Sequence, residues 1–238
     1  MTLVSGLEIS GLDVEVDGKP VLSGIDLSVP SGELHVLLGP NGSGKSSLLA
    51  AIMGLPPYRI TAGEIRFNGQ SLNDLPLCAR ARLGIGMAFQ RPPGLEGVTL
   101  EAFAAALSAQ DRLTREAAAL DLADFTTRQL NVGFSGGEIK RWEILKLMLQ
   151  DPRLVLFDEP ESGVDLEHVI AVGHAIDRIV RAPDTPRTGL VITHTGTILN
   201  HVTADRAHIL RGGRVIASGA APTLFAHVQT QGYTAPAA

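Results

Sequence analysis

The chain has 238 residues, 45% of them hydrophobic and 19% charged, the composition of a soluble globular protein with room for one core and an inserted unit. Lys and Arg number 20 against 25 Asp and Glu, and the net charge of −5 speaks against a chain built to bind nucleic acid. Cys78 is the only cysteine, so no intrachain disulfide can form; no apolar run nears the roughly 20 residues that span a bilayer, and no basic-then-apolar leader opens the chain, so a cytoplasmic protein without direct membrane insertion is expected.

Taken in order, residues 7–9 and 12–16 alternate apolar and polar and predict half-exposed strand. Asp17-Gly18 is a turn signal, followed by strand at Val21-Leu22 and at residues 25–29. Residues 34–38 form an apolar run that ends at a glycine loop, after which residues 46–53 have helical character. Short strands are expected at 63–69 and 85–90, the latter broken by Arg91-Pro92-Pro93-Gly94. Residues 99–124, rich in Ala, Leu and charge, predict two or three helices. Residues 138–150 predict another, with Ile139, Trp142, Leu145 and Leu149 at apolar spacing. An alternating α/β pattern then resumes: strand 154–157, helix 166–181, strand 189–193, helix 195–202, and strands 206–211 and 214–217. Residues 234–238 predict a loose tail, and Cys78 a small, partly buried apolar residue.

The loop Gly39-Pro40-Asn41-Gly42-Ser43-Gly44-Lys45-Ser46 fits G-x-x-x-x-G-K-[ST] between a predicted strand and a predicted helix. Glycines let backbone N–H groups approach phosphate oxygens, and the helix that begins there turns its positive dipole end toward the same anion. Lys45 can reach the β- and γ-phosphates of ATP, and the Ser46 hydroxyl can ligate Mg²⁺. A chance match in a chain of this length is roughly one in a hundred. Farther on, the apolar strand 154–157 ends in Asp158-Glu159, at the strand end where open α/β sheets place their chemistry. Asp158 suits a metal shell, and Glu159 suits polarising an attacking water. Alone, such a strand end is more often merely solvated. Phe134-Ser135-Gly136-Gly137-Glu138 has capping-box spacing, and its two glycines leave N–H groups uncovered at a helix start. On capping grounds alone an ordinary helix start is the commoner reading.

These motifs together resemble the ATP-binding cassette (ABC) ATPase family over nearly the whole chain. Gln90 sits where the family has its Q-loop glutamine, Ser135-Gly136-Gly137-Glu138 resembles the signature, Ser162-Gly163-Val164-Asp165 the D-loop, and His194 the switch histidine. The resemblance implies an α/β fold with a P-loop RecA-like core, an antiparallel β subdomain and an inserted α-helical subdomain. The whole chain would be one cassette, with residues 1–90 and 151–238 as catalytic core and 91–150 as the helical unit. It implies that residues 39–46, Ser47, Gln90 and Val16 bind nucleotide, Val16 standing where many cassettes stack an aromatic ring on adenine. Such stacking is worth about 1–3 kcal/mol per base, so modest affinity and weak base selectivity are expected. Lys45, Glu159 and His194 would be catalytic. Ser46, Gln90 and Asp158 would hold Mg²⁺. Ser135, Gly136, Gly137, Glu138 and Asp165 would act in trans, in a head-to-tail dimer with a second copy of the chain.

Within the family, several segments resemble the branch that serves SUF iron–sulfur cluster assembly: Met87-Ala88-Phe89-Gln90-Arg91-Pro92-Pro93 with Gly97-Val98, the stretch 130–141, and Gln229-Thr230-Gln231-Gly232-Tyr233. Most transporter cassettes have Gln where this chain has Glu138. The run Glu161-Ser162-Gly163-Val164-Asp165-Leu166 is similar to the branch's usual Ser-Gly-Leu-Asp. Pro160 after the Asp-Glu pair is a transporter-like departure, and the helical stretch is shorter than the branch's. The resemblance implies SUF scaffold subunits as partners, docking near residues 90–99 and the helical unit, where Pro92, Pro93, Leu95 and Val98 make a stiff apolar loop. A lone cysteine cannot itself supply the thiolates of a cluster. The alternative is the nucleotide-binding subunit of a membrane transporter, for example one importing amino acids.

Overall fold

The structure is a computed structural model that describes residues 5–183 and 185–236. β1 (Gly6–Val16) turns through Asp17-Gly18 into β2 (Lys19–Pro30). β3 (Leu34–Leu38) leads through the glycine loop into α1 (Lys45–Met53). β4 (Arg59–Phe67), β5 (Gln70–Ser71), α2 (Leu77–Arg82) and β6 (Ile85–Ala88) follow. The middle of the chain holds β7 (Leu95–Thr99), α3 (Leu100–Ala106), α4 (Gln110–Ala119), a 3-10 turn at Ala123–Phe125, β8 (Gln129–Leu130) and α5 (Gly136–Gln150). β9 (Leu154–Asp158), α6 (Leu166–Val180), β10 (Thr188–Ile192), β11 (Arg206–Arg211), β12 (Arg214–Ala220) and α7 (Ala221–Gln231) complete it.

Two principal sheets result. An antiparallel sheet has the order β2-β1-β4-β5, and a mostly parallel one the order β12-β11-β3-β10-β9-β6, with β12 the antiparallel edge. The strands of the second sheet read as unbroken apolar runs because both faces are covered. Alternation still divides them. Leu37, Leu154, Leu156, Leu190 and Ile192 face α1 and the antiparallel sheet, while Val36, Val155, Phe157 and Val191 face the helical side. In β1 the buried positions switch from odd (Leu7, Ile9) to even (Leu12, Val14), because the β1–β2 register slips between Ile9 and Leu12. The expected α/β architecture, a parallel core with an antiparallel sheet and an inserted helical unit, is therefore what forms. α5 packs on α4 and also on β6 and α6, so it ties the inserted unit to the core.

Several local expectations need correction. The loop after Pro93 is a strand: β7 pairs with β8, some 30 residues away in sequence, and a partner that distant leaves little local signal. The helix expected at 195–202 shrinks to a 3-10 turn at Thr197–Asn200. The strand expected at 85–90 stops at Ala88, two residues before Gln90. α2 and α7 carried signals that were passed over, in α7 an Ala-Pro start followed by Leu224 and Val228 at helical spacing. Cys78 is exposed, because α2 is short and turns Arg80 rather than Cys78 inward. Residues 237–238 lie outside the described residues; within the expected tail, Thr234 is hydrogen-bonded to His227. Among the described residues no helix is long and apolar enough to cross a membrane.

One polar chain runs through this apolar core. The Ser218 hydroxyl bonds His208 Nδ1 (2.7 Å), His208 Nε2 meets His35 Nδ1 (3.0 Å), and His35 Nε2 meets the Glu33 carboxylate (2.8 Å). One set of neutral tautomers satisfies every link: Ser218 donates to His208, His208 to His35, and His35 to Glu33. Burial, aided by His35 and Arg206, pushes His208 down to about 3 from an ordinary 6.5. The unfolded chain therefore takes up a proton below pH 6.5 that the folded chain refuses until about pH 3, and the resulting stability is lost as pH falls through that window. Between pH 7.5 and 5 the expected loss from His208 is about 2 kcal/mol. Urea unfolding at the two pH values checks this: His208→Gln should be less stable at pH 7.5 but show a flatter pH dependence than the parent.

Candidate functional site

The site begins where β3 delivers the chain to α1. Gly44 is the N-cap of α1, in the left-handed region at φ +104°, and a Cβ there would stand 2.7 Å from Leu22 Cδ2. α1 is buried along most of its length, and Arg80 caps its far end, donating to the Ala51 (2.6 Å) and Ile52 (2.9 Å) carbonyls. The loop is thus held at both ends of the helix that follows it. Lys45 Nζ lies within the loop, donating to the Gly39 (2.8 Å) and Pro40 (3.0 Å) carbonyls. Burial lowers its pKa, opposed by the carboxylates of Glu159 and Asp158.

β9 brings two carboxylates to the same place. Asp158 Oδ1 accepts from the Ser46 hydroxyl at 3.1 Å. Burial raises the Asp158 pKa, with Glu159 adding to the rise and Ser46, Lys140 and Lys45 opposing it. A buried carboxyl beside a hydroxyl, at the end of a phosphate-type loop, is a hard-oxygen pair that suits Mg²⁺, which takes few protein ligands and completes its shell with water and phosphate. Glu159 has φ +49°, a left-handed conformation unusual for Glu, and its N–H bonds the Ile192 carbonyl at 3.1 Å. That turn aims its side chain off the strand end. Glu159 Oε2 meets Gln90 Nε2 at 2.5 Å and His194 Nδ1 at 3.3 Å.

A cleft of about 900 Å³ collects these groups, with the glycine loop on its floor and Gln90, Glu159, Ser162 and His194 along one side. The structure therefore brings Gly39 to Ser47, Gln90, Asp158, Glu159 and His194 into one neighbourhood. It does not bring in Val16, at the end of β1. The opposite wall is Pro20, Val21, Leu22 and Ser23, because β2 crosses nearer the loop than β1 does. Gly212 and Gly213, after β11, also reach the cleft.

Ser135, Gly136, Gly137, Glu138 and Asp165 lie outside the cleft. The capping box at α5 is complete: Ser135 Oγ accepts from Glu138 N (3.3 Å), and Glu138 Oε2 accepts from Ser135 N (2.7 Å). Just before it, Phe134 stacks on buried Trp142 with ring centroids 5.5 Å apart, and the Arg128 guanidinium covers Phe134 at 4.6 Å. Ser135 and Gly136 are exposed, and a Cβ on Gly136 would lie 3.3 Å from the Gly163 carbonyl, so signature and D-loop of one chain are neighbours. Asp165 is the N-cap of α6, yet its side chain makes no capping bond.

Two residues on α5 were missed by sequence reasoning. Lys140 Nζ donates to the Gln90 carbonyl (2.9 Å), and Glu143 Oε2 accepts from Phe89 N (3.0 Å). Both are buried, and Lys146 pairs with Glu143. Charged side chains among the buried positions of an apolar helix were the available signal.

The description "ABC transporter" fits residues 22–162, the span of the family model that matches. A probable ABC transporter ATP-binding protein of Streptococcus pyogenes serotype M18 is 37% identical, over 97% of this chain and 94% of the relative. The probable ATP-dependent transporter SufC of Escherichia coli K12 is also 37% identical, over 95% of this chain and 97% of the relative. Among solved structures, an ATP-binding subunit of an ABC transporter superposes with a TM-score of 0.79 at 26% identity, covering 96% of this chain and 95% of that one.

Lys45→Met removes the ammonium at little change in volume. The expected result is nucleotide binding weakened about ten- to a hundredfold, the worth of a charge-assisted hydrogen bond, as checked by calorimetric titration with ATP.

Proposed function

This chain belongs to the ATP-binding cassette ATPase family, and on that premise we propose that it powers iron–sulfur cluster assembly on partner scaffold proteins, by ATP-driven head-to-tail pairing with a second copy of itself. Hydrolysis of ATP to ADP and phosphate is its reaction; the residue roles, the pairing and the partners are what we add.

The phosphates rest on the N–H groups of residues 39–46 at the positive end of α1. Lys45 leaves the Gly39 and Pro40 carbonyls for the β- and γ-phosphates. Ser46, Asp158 and Gln90 would hold Mg²⁺, which would supply charge neutralisation on the transferring phosphoryl group. Glu159 orients the attacking water and receives its proton, and His194 steadies the γ-phosphate. In the geometry described above, Glu159 Oε2 is engaged by the Gln90 amide, which leaves Oε1 to meet the attacking water. Base selectivity is expected to be weak, since the apolar wall at Val21 and Leu22 carries no aromatic ring.

The second half of the site is supplied by the partner copy. Its Ser135, Gly136 and Gly137 present an exposed helix N-terminus, and its uncapped Asp165 is free to face the opposing cleft. Leu166, 64% exposed beside it, is an apolar side chain that pairing would cover. Closure on ATP and reopening after hydrolysis are then the working stroke.

Cluster assembly is favoured chiefly by the full-length similarity to the E. coli SufC protein. Scaffold subunits would dock at residues 90–99 and the helical unit. There Leu95 is exposed, and the chain runs directly to Gln90, so a partner's push reaches Glu159. Cys78 is a lone cysteine, so the cluster would reside on those partners. A second reading, the nucleotide-binding subunit of a membrane transporter, is favoured by the streptococcal relative at equal identity.

Affinity capture with mass spectrometry separates the two. Recovery of partners without membrane spans supports assembly, and recovery of polytopic membrane proteins alone overturns it. Glu159→Gln should slow hydrolysis at least about a hundredfold while binding ATP, and should accumulate as an ATP-bound dimer in light scattering. For the shared site, Ser135→Arg and Lys45→Met should each be inactive alone and regain part of the activity when mixed, since one heterodimer then has one intact site. Absence of recovery argues against pairing in trans.

A further inference from the structure

The loop that carries His194 is gripped from two sides. On the core side, Thr193 Oγ1 and Thr195 Oγ1 both bond Glu161 Oε1, the latter at 3.2 Å, and Gly196 N donates to Thr193 Oγ1 at 2.8 Å. Glu161 is buried two residues beyond Glu159, so β9 and β10 are tied together just past the reacting groups. On the other side stands the C-terminal segment. The Tyr233 hydroxyl donates to the His194 carbonyl at 3.1 Å. The Phe225 ring of α7 fills the space over Gly196, which lies at φ +71° and where any Cβ would overlap that ring.

Tyr233 is itself held in place. α7 ends at Gly232, whose N–H bonds the Val228 carbonyl. Arg211 Nη1 donates to the Tyr233 carbonyl at 3.3 Å, and His227 Nε2 lies 3.0 Å from the Thr234 carbonyl. Tyr233 also packs, half-buried, against the main hydrophobic core. The side chain does not line the nucleotide cleft. A phenol in a fixed position, bonded to the backbone of a histidine whose ring sits 3.3 Å from Glu159 Oε2, has a direct route to the reacting groups through that histidine. His194 itself is exposed, and among the described residues its ring is met only by Glu159 Oε2, so the position of its backbone decides whether the imidazole can keep that contact.

We propose that Tyr233 is a positioning residue for ATP hydrolysis, with the segment after α7 acting as a strap that holds the His194 loop against the cleft. The strap aligns His194 for the γ-phosphate without contributing to nucleotide affinity. The inference rests on the role given to His194 above.

Tyr233→Phe removes the hydroxyl and keeps the ring. The expected result is a kcat lowered about three- to tenfold, the worth of one hydrogen bond, with KM for ATP and the melting temperature unchanged. The His194 imidazole signal in ¹H–¹³C NMR spectra, assigned by its loss in His194→Ala, should shift in Tyr233→Phe. An unchanged kcat in Tyr233→Phe, alongside a strongly impaired His194→Ala, overturns the strap and leaves the role of His194 standing. Wild-type turnover in His194→Ala overturns both. A lowered kcat with an unmoved His194 signal, or with KM raised in proportion, also overturns the strap, because the hydroxyl would then act elsewhere.

Discussion

Glu159 Oε2 is shared between the Gln90 amide at 2.5 Å and the His194 ring at 3.3 Å, and the rest of the structure converges on that oxygen. The carboxylate comes from the end of β9, Gln90 from the loop after β6, and His194 from the loop after β10. These strands are neighbours in the order β10-β9-β6, so three segments far apart in sequence end side by side at one sheet edge. The left-handed backbone at Glu159 lets the side chain leave the strand direction and meet both partners. Such a conformation persists because surrounding contacts hold it, here the bond to the Ile192 carbonyl and the Glu161 bridge to Thr193.

α5 connects this oxygen to the outer surface. Its N-terminus carries Ser135 and Gly136 within a closed capping box, while its middle grips the backbone of Phe89 and Gln90 through Glu143 and Lys140. Burial lowers the Lys140 pKa, and the neighbouring carboxylates of Asp158, Glu143, Glu159 and Glu161 oppose that shift. A buried charge with several partners is costly to misplace, so the segment leading to Gln90 follows the helix. A movement of the helical unit would therefore carry the backbone of Phe89 and Gln90 with it and, through the Gln90 amide, reach Glu159. Glu138 closes the capping box, a task Gln performs as well. The assignment to cluster assembly therefore rests on the similarity of the whole chain rather than on that glutamate.

The motif residues were legible wherever function confines backbone and side chain to a few consecutive positions. Gly39 to Ser46 declared a loop, a cation and a hydroxyl within eight residues, and all of them meet in the cleft. Asp158-Glu159 was readable as a strand end because the preceding residues are uniformly apolar. Val16 stays outside the lining of the cleft while Pro20 to Ser23 form its wall, because the hairpin β1–β2 decides which of its strands crosses nearer the loop, and alternation along either strand is silent on that. β7 was not legible because its partner β8 is remote.

By itself, the sequence determined the phosphate-loop motif, the succession of strands in the parallel sheet, and the family. Each depends on local patterns: glycines that admit phosphate, apolar runs that bury both faces, a cap followed by a helix. Tertiary structure alone decided which groups touch. It placed Gln90 and His194 on one oxygen of Glu159, set Lys140 and Glu143 under the Gln90 loop, joined His35 to His208 across β3 and β11, and brought Tyr233 back to His194. The physical reason is that these contacts cross between elements distant in sequence, and their geometry follows from sheet order and helix packing rather than from any neighbouring residue.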